Sequence, residues 1–295
     1  MKLYFLVALC TMLLASCSSS SSTQDSEVDT TLTGVFLDSA VEGVSYNTET
    51  LSGVTNENGE FQYVEGESVT FSVGDLSFPL ISAMETVTPI DMSEARSIYD
   101  NVVVNTIVLL QSLDVDANPS NGIEISDQAA AASAAAIDLN VAPSEFSQNP
   151  DVVNLIANSG SSNTSLIPAE VALVHFQMTL VGTGELQSLT RLEYTNLMIG
   201  STADFASGSK IYYRSDGVKF SRRLNGDEYQ GTWSLDSNGL ICEEIRGGES
   251  TYCIADAENY LMTKNPAVGS YNYSETGFVS GVTITTGNTL GLSGP

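Results

Sequence analysis

Thr33-Gly34-Val35-Phe36-Leu37, Gly43-Val44-Ser45-Tyr46, Gly53-Val54-Thr55, Glu60-Phe61-Gln62-Tyr63, then residues 68–73 and 76–78: between positions 32 and 80 short apolar or β-branched runs alternate with turn residues. Runs this short and this evenly spaced read as the strands of a small antiparallel sandwich. Asn58-Gly59 supplies the positive-φ turn of one hairpin, and Phe61 behind it is placed to fill the core.

At residue 93 the period changes. Ser93 offers an N-cap, and Ile98, Val102, Asn105, Leu109 and Leu113 fall near one face of a helix. Further apolar residues at Val103, Val104, Ile107, Val108 and Leu110 predict burial on more than one side. The helix runs into Asp114-Val115-Asp116-Ala117-Asn118-Pro119-Ser120-Asn121-Gly122-Ile123. An alanine-rich helix from Ser126 to about Ile137, one near 150–158 and one over 168–180 complete a helical middle.

After a linker at 182–184, residues 185–262 return to strands. Turn signals at Asp216-Gly217, Asn225-Gly226, Ser237-Asn238-Gly239 and Gly247-Gly248 mark successive hairpins, a meander able to curl into a small, partly open barrel. The Gly/Thr/Ser-rich tail after Pro266 reads as mobile apart from one strand over 279–285. The predicted class is therefore mixed and mainly β (α+β), with a sandwich over 32–92, a helical segment over 93–181, a meander over 182–265 and a tail over 266–295.

The piece Gly34-Val35-Phe36-Leu37-Asp38-Ser39-Ala40-Val41-Glu42-Gly43-Val44, followed by Thr55-Asn56-Glu57-Asn58-Gly59-Glu60-Phe61, resembles the carboxypeptidase-regulatory-like, or transthyretin-like, β-sandwich repeats of bacterial surface proteins. Asn56 stands where Asp is commoner, and Phe36 interrupts the first strand. With the helix and the Asp114 loop that follow, the unit also resembles a class of proteobacterial lipoproteins, which implies architecture and location only. Gly231-Thr232-Trp233 resembles the GxW strand of lipocalin-like sheets, although a core tryptophan is the simpler reading.

Location is read from the start of the chain. Lys2 precedes an apolar run over 3–14, too short for a hydrocarbon core of about 30 Å. Leu14-Ala15-Ser16-Cys17 resembles the lipobox of bacterial lipoproteins. That resemblance implies a signal peptide over 1–16 and an acylated Cys17 that holds the protein to a membrane without spanning it. Ser18 after the Cys implies export to the outer membrane, and the Ser/Thr/Asp/Glu-rich stretch to residue 31 reads as a flexible tether.

Cys10 leaves with the leader, so an acylated Cys17 would leave Cys242 and Cys253 as a pair in an oxidising compartment. Strands on either side of Gly247-Gly248 would set Arg246 opposite Glu249 and Cys242 opposite Cys253, with Cα atoms about 4.5 to 5.5 Å apart and within disulfide range. With 10 Lys and Arg against 36 Asp and Glu, the net charge of −26 repels phosphate backbones and excludes nucleic acid as a partner.

Two clusters offer binding chemistry. Asp114, Asp116, Asn118 and Asn121 present oxygens at the spacing calcium uses, although Pro119 and Ile125 depart from an EF-hand; Asx-turns capping backbone groups are the other reading. Lys210, Arg214, Lys219, Arg222 and Arg223 are half of the ten cations. A two-residue turn at Asp216-Gly217 would oppose Lys210 to Arg223 and Arg214 to Lys219, on one side with Tyr212. Such opposed like charges call for an anionic partner such as a glycan, or for pairing within the chain.

Catalytic signals are sparse. His175, the one histidine, lies among Val171, Val174, Phe176 and Met178 and reads as a core or flank residue. No catalytic residue is assigned and no cofactor beyond the candidate calcium. The expected function is a lipid-anchored, non-enzymatic binding or structural module with an envelope protein or glycan as partner. The alternatives are a glycan hydrolase using Asp/Glu and a calcium-dependent adhesion module.

Overall fold

The computed structural model describes residues 31–245, 250–276 and 278–290. The leader, Cys17, the tether to residue 30 and the expected Arg246–Glu249 pair lie outside them. The protein is mixed and mainly β.

Alternation builds the first sandwich. Its strands are β1 (Thr31–Phe36), β2 (Val41–Glu42), β3 (Ser45–Asn47), β4 (Ser52–Val54), β5 (Glu60–Val64), β6 (Ser68–Val73), β7 (Leu76–Ser77), β8 (Ile81–Ser82) and β9 (Thr86–Val87). β5-β1-β9 form one sheet and β4-β3-β6-β7 the other, with β8 also on β6. β9 lies parallel to β1, so the sandwich is not wholly antiparallel. Phe36 and Phe71 stack at 4.3 Å, with Phe61 edge-on to Phe71 at 5.1 Å, and all three are buried. Full burial contributes about 1.5–3 kcal/mol for each such side chain. Gly59 takes the expected positive φ of 72°.

The first long helix, α1 (Asn101–Leu113), starts later than its apolar period predicts. Ser93 caps nothing there. It closes a 3-10 turn over Pro89–Met92 and hydrogen-bonds Asp100 and the Ser97 amide, which fixes 93–100 in turns. α1 is buried on two sides as expected. Leu109, Leu110 and Leu113 join the sandwich core, while Val103, Val104, Ile107 and Val108 meet Ala172, Leu173, Phe176 and Leu180 of a later helix.

After β10 (Ile123–Glu124), which runs parallel to β2, the alanine-rich segment departs from expectation. Only α2 (Asp127–Ala130) is helical. Asp75 takes the amides of Ala134 and Ala135, and its own amide bonds the Ala132 carbonyl, so the groups a helix needs are spent on the sandwich. Next come α3 (Pro143–Phe146), α4 (Pro150–Ala157) and α5 (Ala169–Gly182). Among the described residues no helix is long and apolar enough to cross a membrane.

The C-terminal part comprises β11 (Gln187–Leu189), α6 (Arg191–Met198), β12 (Ser201–Phe205), β13 (Lys210–Tyr213), β14 (Val218–Arg222), β15 (Glu228–Leu235), β16 (Ile241–Ile245), β17 (Ser250–Cys253), β18 (Leu261–Lys264), β19 (Tyr271–Glu275) and β20 (Phe278–Thr286). The ten strands form one sheet in the order β11-β18-β19-β20-β12-β13-β14-β15-β16-β17. The expected tail is thereby corrected: β20 contains the strand foreseen at 279–285, but β19 and β20 lie in the middle of the sheet, between β18 and β12. Their Tyr271, Tyr273 and Val282 alternate inward, a signal the surrounding Gly and Thr residues obscure. One face of this sheet meets α5 through Gln177, whose amide donates to Ser274 at 2.9 Å and accepts from Thr263 at 3.3 Å, all three buried.

Candidate binding cleft in the C-terminal sheet

Strand alternation decides which side chains share the other face. Tyr213 opposes Lys219, Lys219 opposes Gly231, Trp233 opposes Glu243 and Glu243 opposes Tyr252. The sheet curls until Tyr252, on its terminal strand, reaches β19: the Tyr252 hydroxyl lies 3.2 Å from that of Tyr273 and donates to Glu275 at 2.6 Å. Tyr273 donates to the same carboxylate at 2.9 Å. Glu243 accepts from the Tyr213 hydroxyl and pairs with Lys219 at 2.9 Å, both members of the pair being 11% exposed.

Lys219, Glu243, Tyr252 and Glu275 line a cavity of about 330 Å³, with Lys210, Arg222, Arg223 and Glu244 among its other walls; Tyr213 and Tyr273 stand behind the two carboxylates. Burial, followed by the neighbouring carboxylates, raises the Tyr194 and Tyr213 phenols well above their ordinary value. Burial also raises Tyr252 and Tyr273. The phenols therefore stay protonated and act as donors. Carboxylates, a neutral hydroxyl and two ammonium groups on the walls of a cavity can hold a hydroxyl-rich ligand by directed hydrogen bonds.

The basic cluster forms in a different register from the expected one. The loop after β13 has three residues, with Gly217 at φ 88°, so Arg214 bonds Val218 and Lys210 opposes Arg222, not Arg223. Tyr213, not Arg214, opposes Lys219, and Lys219 therefore turns to the concave face. The cations pair within the chain: Lys210 with Asp204, Arg214 with Asp216 at 2.7 Å and Arg222 with Glu228 at 2.6 Å. Arg223 lies over the Tyr229 ring at 4.3 Å. Lys210, Lys219 and Arg223 border the cavity; Arg214 does not.

In the Asp114 loop the oxygens cap backbone. Asp114 accepts from the amides of Asn118 at 2.7 Å and Glu124 at 3.1 Å, and Asp116 accepts from the Asn118 amide and from the Asn121 side chain, both at 2.9 Å. Burial lifts the Asp114 carboxyl above its ordinary value, while the Asn121 amide holds Asp116 below it. Among the described residues no three His, Cys, Asp or Glu side chains gather as a metal site.

Cys242 and Cys253 stand opposite each other, as the hairpin register predicts, and are joined with their sulfurs 1.98 Å apart. Trp233 is partly buried against the cluster around Tyr213, its indole donating to the Arg214 carbonyl at 2.8 Å. Sequence reading singled out none of Tyr213, Glu243, Tyr252, Tyr273 and Glu275. The only signal was alternation, as in Tyr271-Asn272-Tyr273-Ser274-Glu275, which a carboxylate-rich chain repeats elsewhere. No protein-family model, no curated protein and no solved structure matches the chain.

Proposed function

We propose that the protein is an envelope lipoprotein, held at the outer membrane through acylated Cys17, whose C-terminal sheet works as a non-enzymatic binding module for a glycan. One observation carries the reading: Glu243 and Glu275 face a single cavity with Lys219 and the hydroxyls of Tyr213, Tyr252 and Tyr273 bonded to them. Both carboxylates are already held by neighbours, an arrangement suited to orienting hydroxyls. The cations on the walls of the cleft would suit an acidic saccharide, which the chain's net charge of −26 as a whole would repel. The lipobox-like Leu14-Ala15-Ser16-Cys17 supports the anchor.

Hydrolysis is the second reading, favoured by two carboxylates on one cavity. Incubating the protein with its own envelope glycans separates the two. Retention of intact glycan that Glu275→Gln and Tyr252→Phe weaken supports binding; release of new reducing ends supports hydrolysis; retention unchanged in both variants removes the cleft from either reading. Labelling with an acyl donor in the native host, lost in Cys17→Ala, tests the anchor.

A further inference from the structure

Outside the cleft, the turn between β1 and β2 carries nucleophile chemistry. Leu37 bridges Ala40, and of the two residues between them Ser39 takes φ 61°, a left-handed conformation that a non-glycine residue adopts at a cost. α5 grips this turn at two positions one helical turn apart: Ser39 donates its amide to the Thr179 hydroxyl at 3.3 Å, and its Oγ lies 3.1 Å from Nε2 of His175. Asp38 is fully buried. Its Oδ2 accepts from Gln111 at 2.9 Å, while its Oδ1 has no hydrogen-bond partner and lies 4.0 Å from the same Nε2.

We propose that Ser39 and His175 form a nucleophile–base dyad that takes the acyl group of a carboxylic ester with an apolar chain. The hydroxyl and the imidazole are within the reach that nucleophile activation needs, and the strained turn fixes the hydroxyl against the ring. Burial holds His175 below the ordinary histidine value, so the ring is neutral at pH 7 and free to accept a proton. Asp38 sits on the side of the nitrogen that faces Ser39. It does not orient the far nitrogen as the third member of a triad does; buried and protonated at pH 7, it is a neutral polar neighbour of the ring.

In the first step Ser39 Oγ bonds the acyl carbon and its proton passes to Nε2. The ester C–O bond then breaks, and the leaving alkoxide takes that proton as the alcohol. Water, giving its proton to the same nitrogen, attacks the acyl-serine and releases the acid; the proton returns to Oγ. Of the dyad, His175 and not Ser39 lines a cavity of about 510 Å³ whose apolar walls include Ile167, Val171, Val174, Met178 and Val279, so the chain of such an ester would lie on the imidazole side of the dyad. Val171 and Met178 are exposed, so the chain can enter from solvent.

The cavity shares Glu275 with the cleft, but the dyad itself does not rest on the glycan reading, and its test is covalent. The full mature protein is treated with a biotinylated alkyl fluorophosphonate, and the modified peptide is identified by mass spectrometry. Labelling of Ser39, lost in Ser39→Gly and slowed on the order of 100-fold or more in His175→Gln, is the expected result. Glycine is the control because it keeps the left-handed turn, and circular dichroism of both variants establishes that they fold. A folded protein with Ser39 unlabelled, or labelled equally fast in His175→Gln, overturns the proposal.

Discussion

Lys219 on β14 and Glu243 on β16 meet at 2.9 Å across the whole width of β15, on which Gly231 stands opposite Lys219. The pair is largely withdrawn from water, and the Tyr213 hydroxyl completes the hydration that Glu243 loses. Removing one partner strands the other, the costly case for a buried ion pair, about 3–5 kcal/mol. Lys219→Met should therefore lower the urea midpoint far more than Lys219→Met combined with Glu243→Gln. Equal losses in the single and double variants would show that the pair is too wet to matter.

Asp38 gives the protein a pH-dependent stability with a definite sign. Burial, only partly offset by Gln111, pushes its carboxyl up to about 8, against about 3.9 in an unfolded chain. Between those values the folded state keeps a proton that the unfolded chain has lost. This contribution to stability is complete below about pH 4, falls by up to about 1.4 kcal/mol per pH unit, and is gone above about 8. His175, lowered by burial, acts in the opposite direction, but only below about 6.5. The window from about 6.5 to 8 therefore leaves His175 out. Urea melts across it should show stability falling with pH in the wild type and a nearly flat line in Asp38→Asn; parallel slopes would assign the effect elsewhere.

The Cys242–Cys253 bridge closes a short loop, with a sequence separation of 11, and chain entropy alone assigns it about 3 kcal/mol. β17 pairs with β16 alone and ends the sheet, yet Tyr252 beside Cys253 must reach Glu275 for the cleft to close. Reduction should thus act on the cleft before it acts on the fold. Amide exchange in 250–253 is expected to quicken under dithiothreitol while the amides of β1 and β5 stay protected, and uniform protection in the reduced protein would refute the ordering.

Elements whose signals are local were legible in the sequence. Asn58-Gly59, the Cys242–Cys253 register and the apolar runs of α1, α4 and α5 each specify themselves within a few residues. The misreadings arise where distant groups decide. Ser93 has the composition of a cap, but Asp100 and Ser97 occupy it. The alanine run 129–136 has the highest local helix propensity and is unwound by Asp75, about 60 residues away. Lys219 was misplaced by one register step because Ser215-Asp216-Gly217 makes a three-residue loop where Asp216-Gly217 alone suggests two. The cleft stayed hidden for a related reason: Glu243 and Glu275 come together only when the sheet curls, which no strand records by itself.

Asn105 shows how such long-range control is built and how it can be broken. It stands among valines and leucines on α1, where a polar residue has no water to turn to, and it is 1% exposed. Its amide nitrogen donates at 2.8 Å to the carbonyls of both Leu139 and Val141, pinning a segment without regular structure to the helix. Asn105→Ala removes both donors and leaves two partly or fully buried carbonyls unmatched, at about 1–3 kcal/mol for each that water does not reach. Asn105→Leu keeps the volume but not the donors, so it should lose nearly as much stability as alanine. The comparison separates packing from hydrogen bonding: if leucine restores the wild-type thermal midpoint, the side chain acts by filling space. If both variants fall together and protease begins to cut within 131–142, the two carbonyls are what hold that segment to the core.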